Sequence, residues 1–317
     1  MQADAVFSGG GVKGLAFAGA LAAAEEAGYT DWVSVGGTSA GAITAMALAV
    51  GYDAKTLRAK LDDFPLSKIA DYGPLGFVSE AENVLFKRAL TRGEVLHQWI
   101  RDLLSEAPRP ATKFGELDRE LRVVGSDLAH SRMVVFPNDV GQYTDDQGRP
   151  LDPDEFPIAD AVRISAGYPY FFPPLALRNA STQKDGALVD GGVASSFPVF
   201  LFDKQQPRHP TWGFRLFSGF EPETPTYRAI DGLDWPVDMI QGVLDTAMNS
   251  LDNFERESFG DRVISIATGS VPTLEFSISD QQKQFLYDSG YEAAKQFFAT
   301  HPTGENRFGA VPAQAEA

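Results

Sequence analysis

The chain has 317 residues, 44% of them hydrophobic and 22% charged, enough for one large α/β domain or two small ones around a true core. Its 27 basic residues stand against 43 acidic ones, a formal charge of −16. That balance argues against a nucleic-acid partner, which needs clustered Lys and Arg, and against docking on anionic lipid by charge alone.

Strand-like and helix-like segments alternate from the start, which implies an α/β fold with a largely parallel sheet. Ala5–Phe7 reads as a strand, and the Ala/Leu-rich run Gly14–Ala27 as a helix ended by Gly28. Trp32–Val35 is a second strand, followed by a helix over Ala40–Val50 that Gly51 stops. Asp53 caps a third helix, Ala54–Phe64. Residues 65–92 carry Pro and Gly with weak periodicity and read as a cap region. Val95–Ser105 is an amphipathic helix. Leu121–Gly125 and Met133–Phe136 are strands, and 137–156 is a polar Asp/Pro/Gly loop. Ala187–Val189 and Trp212–Phe217 follow as strands, then a long helix over Val237–Phe254, a strand at Val263–Ile266 and a last helix over Asp280–Phe298. With no repeats and no low-complexity linker, residues 1–300 are expected to form one domain, and 301–317 a disordered tail.

No run of about 18 apolar residues is present, so no bilayer-spanning helix is expected. The N-terminus lacks the basic and apolar regions of a signal peptide, and a cytoplasmic location is expected. There is no cysteine for a disulfide or a thiolate site, and His97, His130, His209 and His301 are too scattered to suggest a metal site. Neither a metal nor a cofactor is expected.

The stretch Ser8-Gly9-Gly10-Gly11-Val12-Lys13-Gly14 joins the first strand to the first helix and matches the dinucleotide pattern G-x-G-x-x-G at Gly9, Gly11 and Gly14. Such a site also wants an acid at the end of the second strand, to hold the ribose. Here that strand runs straight into Gly36-Gly37-Thr38-Ser39-Ala40-Gly41, and no acid is present. The Walker pattern is not met around Lys13 either.

In place of the acid stands G-x-S-x-G, with Ser39 between Gly37 and Gly41. A strand precedes it and a helix of small residues follows, as a nucleophile elbow requires. A plain helix cap is the competing reading. A serine nucleophile needs an oxyanion hole and a base. Consecutive Gly9, Gly10 and Gly11 can aim backbone N–H groups at a developing oxyanion, and the Ala40 amide lies next to the nucleophile. Lys13 reads either as a charge near that hole or as a solvent-facing residue. Among the histidines, His130 is the one serious candidate for the base. Against it stands Asp190, which ends an apolar strand and is followed by Gly191 and Gly192, a geometry that points an acid into the crevice at the strand ends. An Asx-turn would account for the same tripeptide.

Taken together and in this order, "SGGGVKG", "GTSAGA" and "DGG" resemble the patatin-like phospholipase family. Further similarity lies in "LRVVGSDLAHSRMVVF", in "AVRISAGYPYFFPP" and in "LYDSGYEAAKQFF". The resemblance implies an open, largely parallel sheet sandwiched by helices in three layers, α/β/α. It implies Ser39 as nucleophile, Asp190 as direct base, and Gly10, Gly11 and the Ala40 amide as the oxyanion hole. The activity implied is lipid acyl hydrolysis through an acyl-enzyme, without a metal. A solvated Asp, with a pKa of about 3.9, is a poor base for an alcohol, so the site has to raise its basicity by desolvation.

The expected partner is a lipid or other acyl ester, with transient membrane contact through a few exposed Phe. The aromatic run Tyr168–Pro174 reads equally as an acyl pocket or lipid-touching rim and as core packing. The alternatives are a soluble short-chain esterase or acyltransferase and, from another class, a ligand-regulated effector or non-catalytic binding module.

Overall fold

The computed structural model describes residues 1–64, 68–69, 91–217, 260–273 and 277–301. Most of the 65–92 cap region, the helix expected over Val237–Phe254 and the tail beyond residue 301 lie outside the described residues.

Among the described residues the centre is a seven-stranded sheet in the order β4-β3-β2-β1-β8-β9, with β7 added on β3. Its strands are β1 (Gln2–Phe7), β2 (Asp31–Thr38), β3 (Glu120–Asp127), β4 (Arg132–Phe136), β7 (Leu188–Asp190), β8 (Thr211–Phe217) and β9 (Val263–Ala267). Pairs β1–β2, β1–β8, β2–β3 and β8–β9 are parallel, whereas β4 and β7 run antiparallel to β3. A two-stranded ladder of β5 (Tyr143–Thr144) and β6 (Arg178–Asn179) stands apart from it.

The helices are α1 (Leu15–Glu26), α2 (Ala40–Ala49), α3 (Ala54–Asp62), α4 (Glu94–Ser105), α5 (Ile158–Ser165) and α6 (Asp280–Thr300). They flank the sheet, the open, largely parallel α/β arrangement that the alternation of segments implies. Alternation along β1 divides the core between the two faces of the sheet. Ala3, Ala5 and Phe7 join the large cluster built with the helices, while Val6 packs with Val124, Leu201 and Phe202. Helices α1 and α6 touch backbone to backbone. A Cβ on Gly19 would stand 1.9 Å from Tyr287 O, and one on Gly290 1.9 Å from Ala16 O. This contact explains a glycine in the middle of the last helix.

Several elements differ from the sequence reading. Strand β2 continues past Val35 to Thr38, because ladder partners on both sides (Phe7 opposite Gly37, Thr38 opposite Val124) outweigh the poor strand propensity of glycine. The first helix is preceded by a 3₁₀ turn over Gly11–Gly14. Helix α5 was not expected; at eight residues after Pro157 it is too short to show a period.

The placement of β7 matters most for the site. Strand β4 occupies one edge of β3 over Val123–Asp127, and β2 occupies the other as far as Val124, opposite Thr38. Strand β7 pairs with Gly125–Asp127, so it takes over the β2 edge where β2 turns away. Asp190 is opposite Gly125 and Thr38 opposite Val124. Consecutive residues of β3 therefore bring the end of β7 beside the residue that follows β2, which is Ser39.

Candidate active site

Ser39 sits between β2 and α2 with φ 54° and ψ −120°, a conformation that costs a non-glycine residue on the order of 1–3 kcal/mol. Its neighbours permit the tight turn. A Cβ on Gly41 would lie 2.3 Å from Phe7 O, and one on Gly37 2.7 Å from the same carbonyl. The strained turn leaves the Ser39 side chain in a cleft, with the residue 9% exposed.

Asp190 is 3% exposed. It accepts a hydrogen bond at 2.8 Å from the Gly192 amide, and it lines the same cleft as Ser39, whose hydroxyl is near enough to favour its ionised form. Its own amide donates to Gly167 O at 3.0 Å. Burial pushes the Asp190 carboxyl up to about 7, against the opposing pull of the Gly192 amide and the Ser39 hydroxyl. Gly191 is required by packing, since its Cβ would stand 2.2 Å from Val124 O.

The glycine turn after β1 also approaches Ser39, and a Cβ on Gly9 would stand 3.6 Å from that of Ser39. Its Gly9 amide donates to Ser196 O at 2.8 Å and its Val12 amide to Thr273 O at 3.2 Å, while the Lys13 amide closes onto Gly10 O. Gly10 and Gly11 line the cleft with Ser39, Ala40 and Asp190. Gly11 has φ +57°, and a Cβ there would meet Thr273 O at 2.2 Å. Gly14 packs against Ala40, its Cβ position 2.8 Å from that of Ala40. The Ala40 amide opens helix α2, among the N–H groups that have no acceptor within a helix. The helix N-terminus adds a partial positive charge at this point.

From these groups a cleft of about 890 Å³ opens, part of it to solvent. Ile43 from α2, Leu61 from α3, and Leu96 and Trp99 from α4 give it apolar walls, with Phe64, Tyr168 and Phe172 adding aromatic ones. Phe64 and Trp99 pack ring on ring, centroids 4.0 Å apart. Sequence reading did not find the walls from α3 and α4. Their apolar residues carry the ordinary pattern of amphipathic helices, which does not say whether a face meets core or ligand. Within the aromatic run, Tyr168 and Phe172 line the cleft, whereas Tyr170 is 42% exposed.

His130 is not part of this arrangement. Its Nδ1 lies 2.8 Å from Asp127 Oδ2 and its Nε2 2.8 Å from Thr182 Oγ1, and it does not line the cleft. His97 lies 2.9 Å from Asp160 and His209 2.9 Å from Asp4, and the His301 ring stacks on Phe297. Among the described residues no group of three His, Asp or Glu side chains could hold a metal ion. No described helix is long and apolar enough to cross a membrane.

The fold is an open α/β sheet, with a strained serine between strand and helix and a buried carboxylate lining the same cleft. The patatin-like phospholipase model matches residues 5–203, and the chain belongs to that family, which places it among lipid hydrolases at the level of the family. The chain is 33% identical over 303 residues to YqhO, an uncharacterized protein of Bacillus subtilis (strain 168), covering 94% of this chain and 98% of that one. It is 25% identical over 296 residues to the uncharacterized protein L620 of Acanthamoeba polyphaga mimivirus, covering 80% of this chain and 74% of the other. Among solved structures, VipD from Legionella pneumophila matches with a TM-score of 0.58 at 18% identity, over 94% of this chain and 67% of that one. Full-length ExoU from the type III secretion system of Pseudomonas aeruginosa, solved with SpcU, matches with a TM-score of 0.51 at 18% identity, over 95% of this chain and 53% of its own. At such identity these structures speak for the fold alone.

Proposed function

We propose that the protein is a lipid acyl hydrolase, of phospholipase A or lysophospholipase type, working through a Ser39–Asp190 dyad. The observation that carries this reading is a strained serine and a buried, raised-pKa carboxyl that line one apolar cleft together. Desolvation supplies what an aspartate base otherwise lacks. With its carboxyl at about 7, Asp190 is both ionised enough near neutral pH and basic enough to accept a proton from an alcohol.

Ser39 Oγ attacks the ester carbonyl carbon as its proton passes to Asp190. The oxyanion is received by the Gly10, Gly11 and Ala40 amides; the Gly9, Val12 and Lys13 amides are engaged elsewhere. Collapse breaks the carbon–oxygen bond to the alcohol part of the lipid, which leaves with the proton from Asp190. Water then attacks the acyl-enzyme, gives its proton to Asp190, and Ser39 regains one as the fatty acid departs. No step calls on a metal, and turnover is expected to persist in EDTA.

The acyl chain lies along the wall of Ile43, Leu96 and Trp99, where each buried methylene contributes about 0.8 kcal/mol. Tyr170, exposed next to lining residues Tyr168 and Phe172, forms the rim that meets lipid. The test is hydrolysis of p-nitrophenyl esters from short to long acyl chains, and of phospholipid vesicles, with EDTA present. A preference for long chains, lost in Ser39→Ala and Asp190→Asn but kept in His130→Ala, supports the reading. A preference for short chains favours a soluble esterase, and ligand binding by folded wild type without turnover favours a binding module.

A further inference from the structure

The Ser39 amide is buried and belongs to a residue held in a costly conformation, so something must hold it there. Its partner is the hydroxyl of Ser165, which accepts the Ser39 N–H at 2.9 Å. The same hydroxyl donates to Val124 O at 2.6 Å. With its hydrogen committed to Val124, Ser165 Oγ faces Ser39 with a lone pair, and its role as acceptor is fixed. Ser165 is fully buried, at the last turn of α5.

Val124 is the residue of β3 opposite Thr38, next to Gly125, which is opposite Asp190. Its carbonyl lies against Gly191. One hydroxyl thus bridges the turn that carries the proposed nucleophile and the strand that sets the height of the proposed base. We infer that Ser165 is a positioning residue: it ties the Ser39 amide to β3 and so fixes the separation between Ser39 Oγ and the Asp190 carboxylate. The inference rests on the Ser39–Asp190 reading. Ser165 does not itself line the cleft, and its effect passes through Ser39.

Without the hydroxyl, the Ser39 N–H and Val124 O both lose a buried partner, and the turn relaxes from its strained geometry. The expected result for Ser165→Ala is a kcat on p-nitrophenyl esters lowered about 100-fold, the order of loss for a displacement of about 1 Å at a reacting atom, with KM unchanged. Labelling of Ser39 by a fluorophosphonate probe slows in parallel, and Ser165→Thr, which restores the hydroxyl, recovers most of the rate. A purely structural serine would lower the melting temperature and leave kcat per folded molecule at the wild-type value, which overturns the inference. Should Ser165→Ala fail to fold, Ser165→Cys, close in shape but a poorer acceptor, serves instead. A lowered kcat at unchanged KM supports the inference, and a wild-type kcat overturns it. Ser39→Ala in the same assays separates the two levels. If it keeps turnover, the dyad itself is wrong; if it is dead while Ser165→Ala is as fast as wild type, only the positioning role fails.

Discussion

Two aspartates lie at the same end of β3, one on it and one on its neighbour β7, and their fates differ. Asp190 lies opposite Gly125, and Asp127, two residues further along β3, lies opposite Leu188. Both are nearly sealed from solvent, at 3% and 1% exposure. Yet burial carries Asp190 up to about 7, while Asp127 ends below the ordinary carboxylate range. The difference is in depth and in donors, and Asp190 lies the deeper of the two. Burial pushes Asp127 up as well, but His130, the Tyr143 hydroxyl and the Ala187 amide all donate to it and outweigh that push. Asp190 has the Gly192 amide and the Ser39 hydroxyl. Deep burial with few donors makes a base; shallower burial among several donors does not. The cluster that looks most like an acid–histidine–hydroxyl relay, Asp127, His130 and Thr182, is by this measure a clasp between the β3–β4 turn and the loop before β7.

The sharpest way to break this contrast is to remove each member. Ser39→Ala and Asp190→Asn are expected to lower kcat by about 10⁴-fold or more, as removal of a member of a concerted catalytic unit does. His130→Ala is expected to keep its kcat and KM for the same ester and to lose about 1–3 kcal/mol of stability, because it strips a donor from a buried carboxylate. Loss of turnover in His130→Ala, with the protein folded, would reverse the roles assigned to the two regions.

A pH titration sharpens the same comparison. The proposed base works ionised, so kcat/KM should rise with pH, with a midpoint at about 7, and level off above it. Stability runs the other way. A carboxyl whose folded pKa is raised binds more protons folded than unfolded between about 4 and 7, so the contribution of Asp190 to stability falls as pH rises through that window. Above it, Asp190→Asn should be more stable than wild type by up to about 4 kcal/mol, and the difference should shrink towards pH 4. Chemical denaturation of both proteins at pH 5 and pH 8 reads this directly. Asp127, with its lowered pKa, predicts the opposite trend, with stability lost as the pH falls through the acid range.

Much of the fold was legible, and the reasons are local. Gly28 and Gly51 end helices at positive φ, and Asp53 caps α3 through the Thr56 amide. The alternation of strands and helices gave the parallel core. The proposed site was legible as motifs because each demands residues that little else explains: a serine at positive φ needs small neighbours, and an acid at a strand end needs a tight turn after it. What no local pattern carries is the partnership between them. Ser165 reads as one more small residue in a short helix, and its meaning depends on Val124 and Ser39, distant in sequence and joined only by the end-to-end meeting of β2 and β7 on β3. Thr273, whose carbonyl holds the glycine turn, is likewise visible only in three dimensions.

The smaller effects belong to the cleft and its rim. Trp99→Ala removes an aromatic wall packed against Phe64, and it should shift the preferred acyl chain to greater length while leaving short-ester turnover near wild type. The wild-type gain in kcat/KM along the chain series should be roughly fourfold per methylene until the apolar wall is filled. Tyr170 carries the finest prediction. It sits at φ +65°, exposed, on a turn closed by the hydrogen bond from the Phe172 amide to Tyr168 O. A strained, solvent-facing aromatic beside two cleft-lining ones contributes little to the core, so Tyr170→Ser should not lower the melting temperature. On neutral phosphatidylcholine vesicles it should lower hydrolysis by about fivefold, the loss of one interfacial aromatic contact, with no change on a water-soluble ester. The vesicle is chosen neutral because a chain of formal charge −16 gains nothing from anionic lipid. An equal loss on both substrates would place Tyr170 in the wall of the cleft, and no loss on either would mean that lipid enters by another edge.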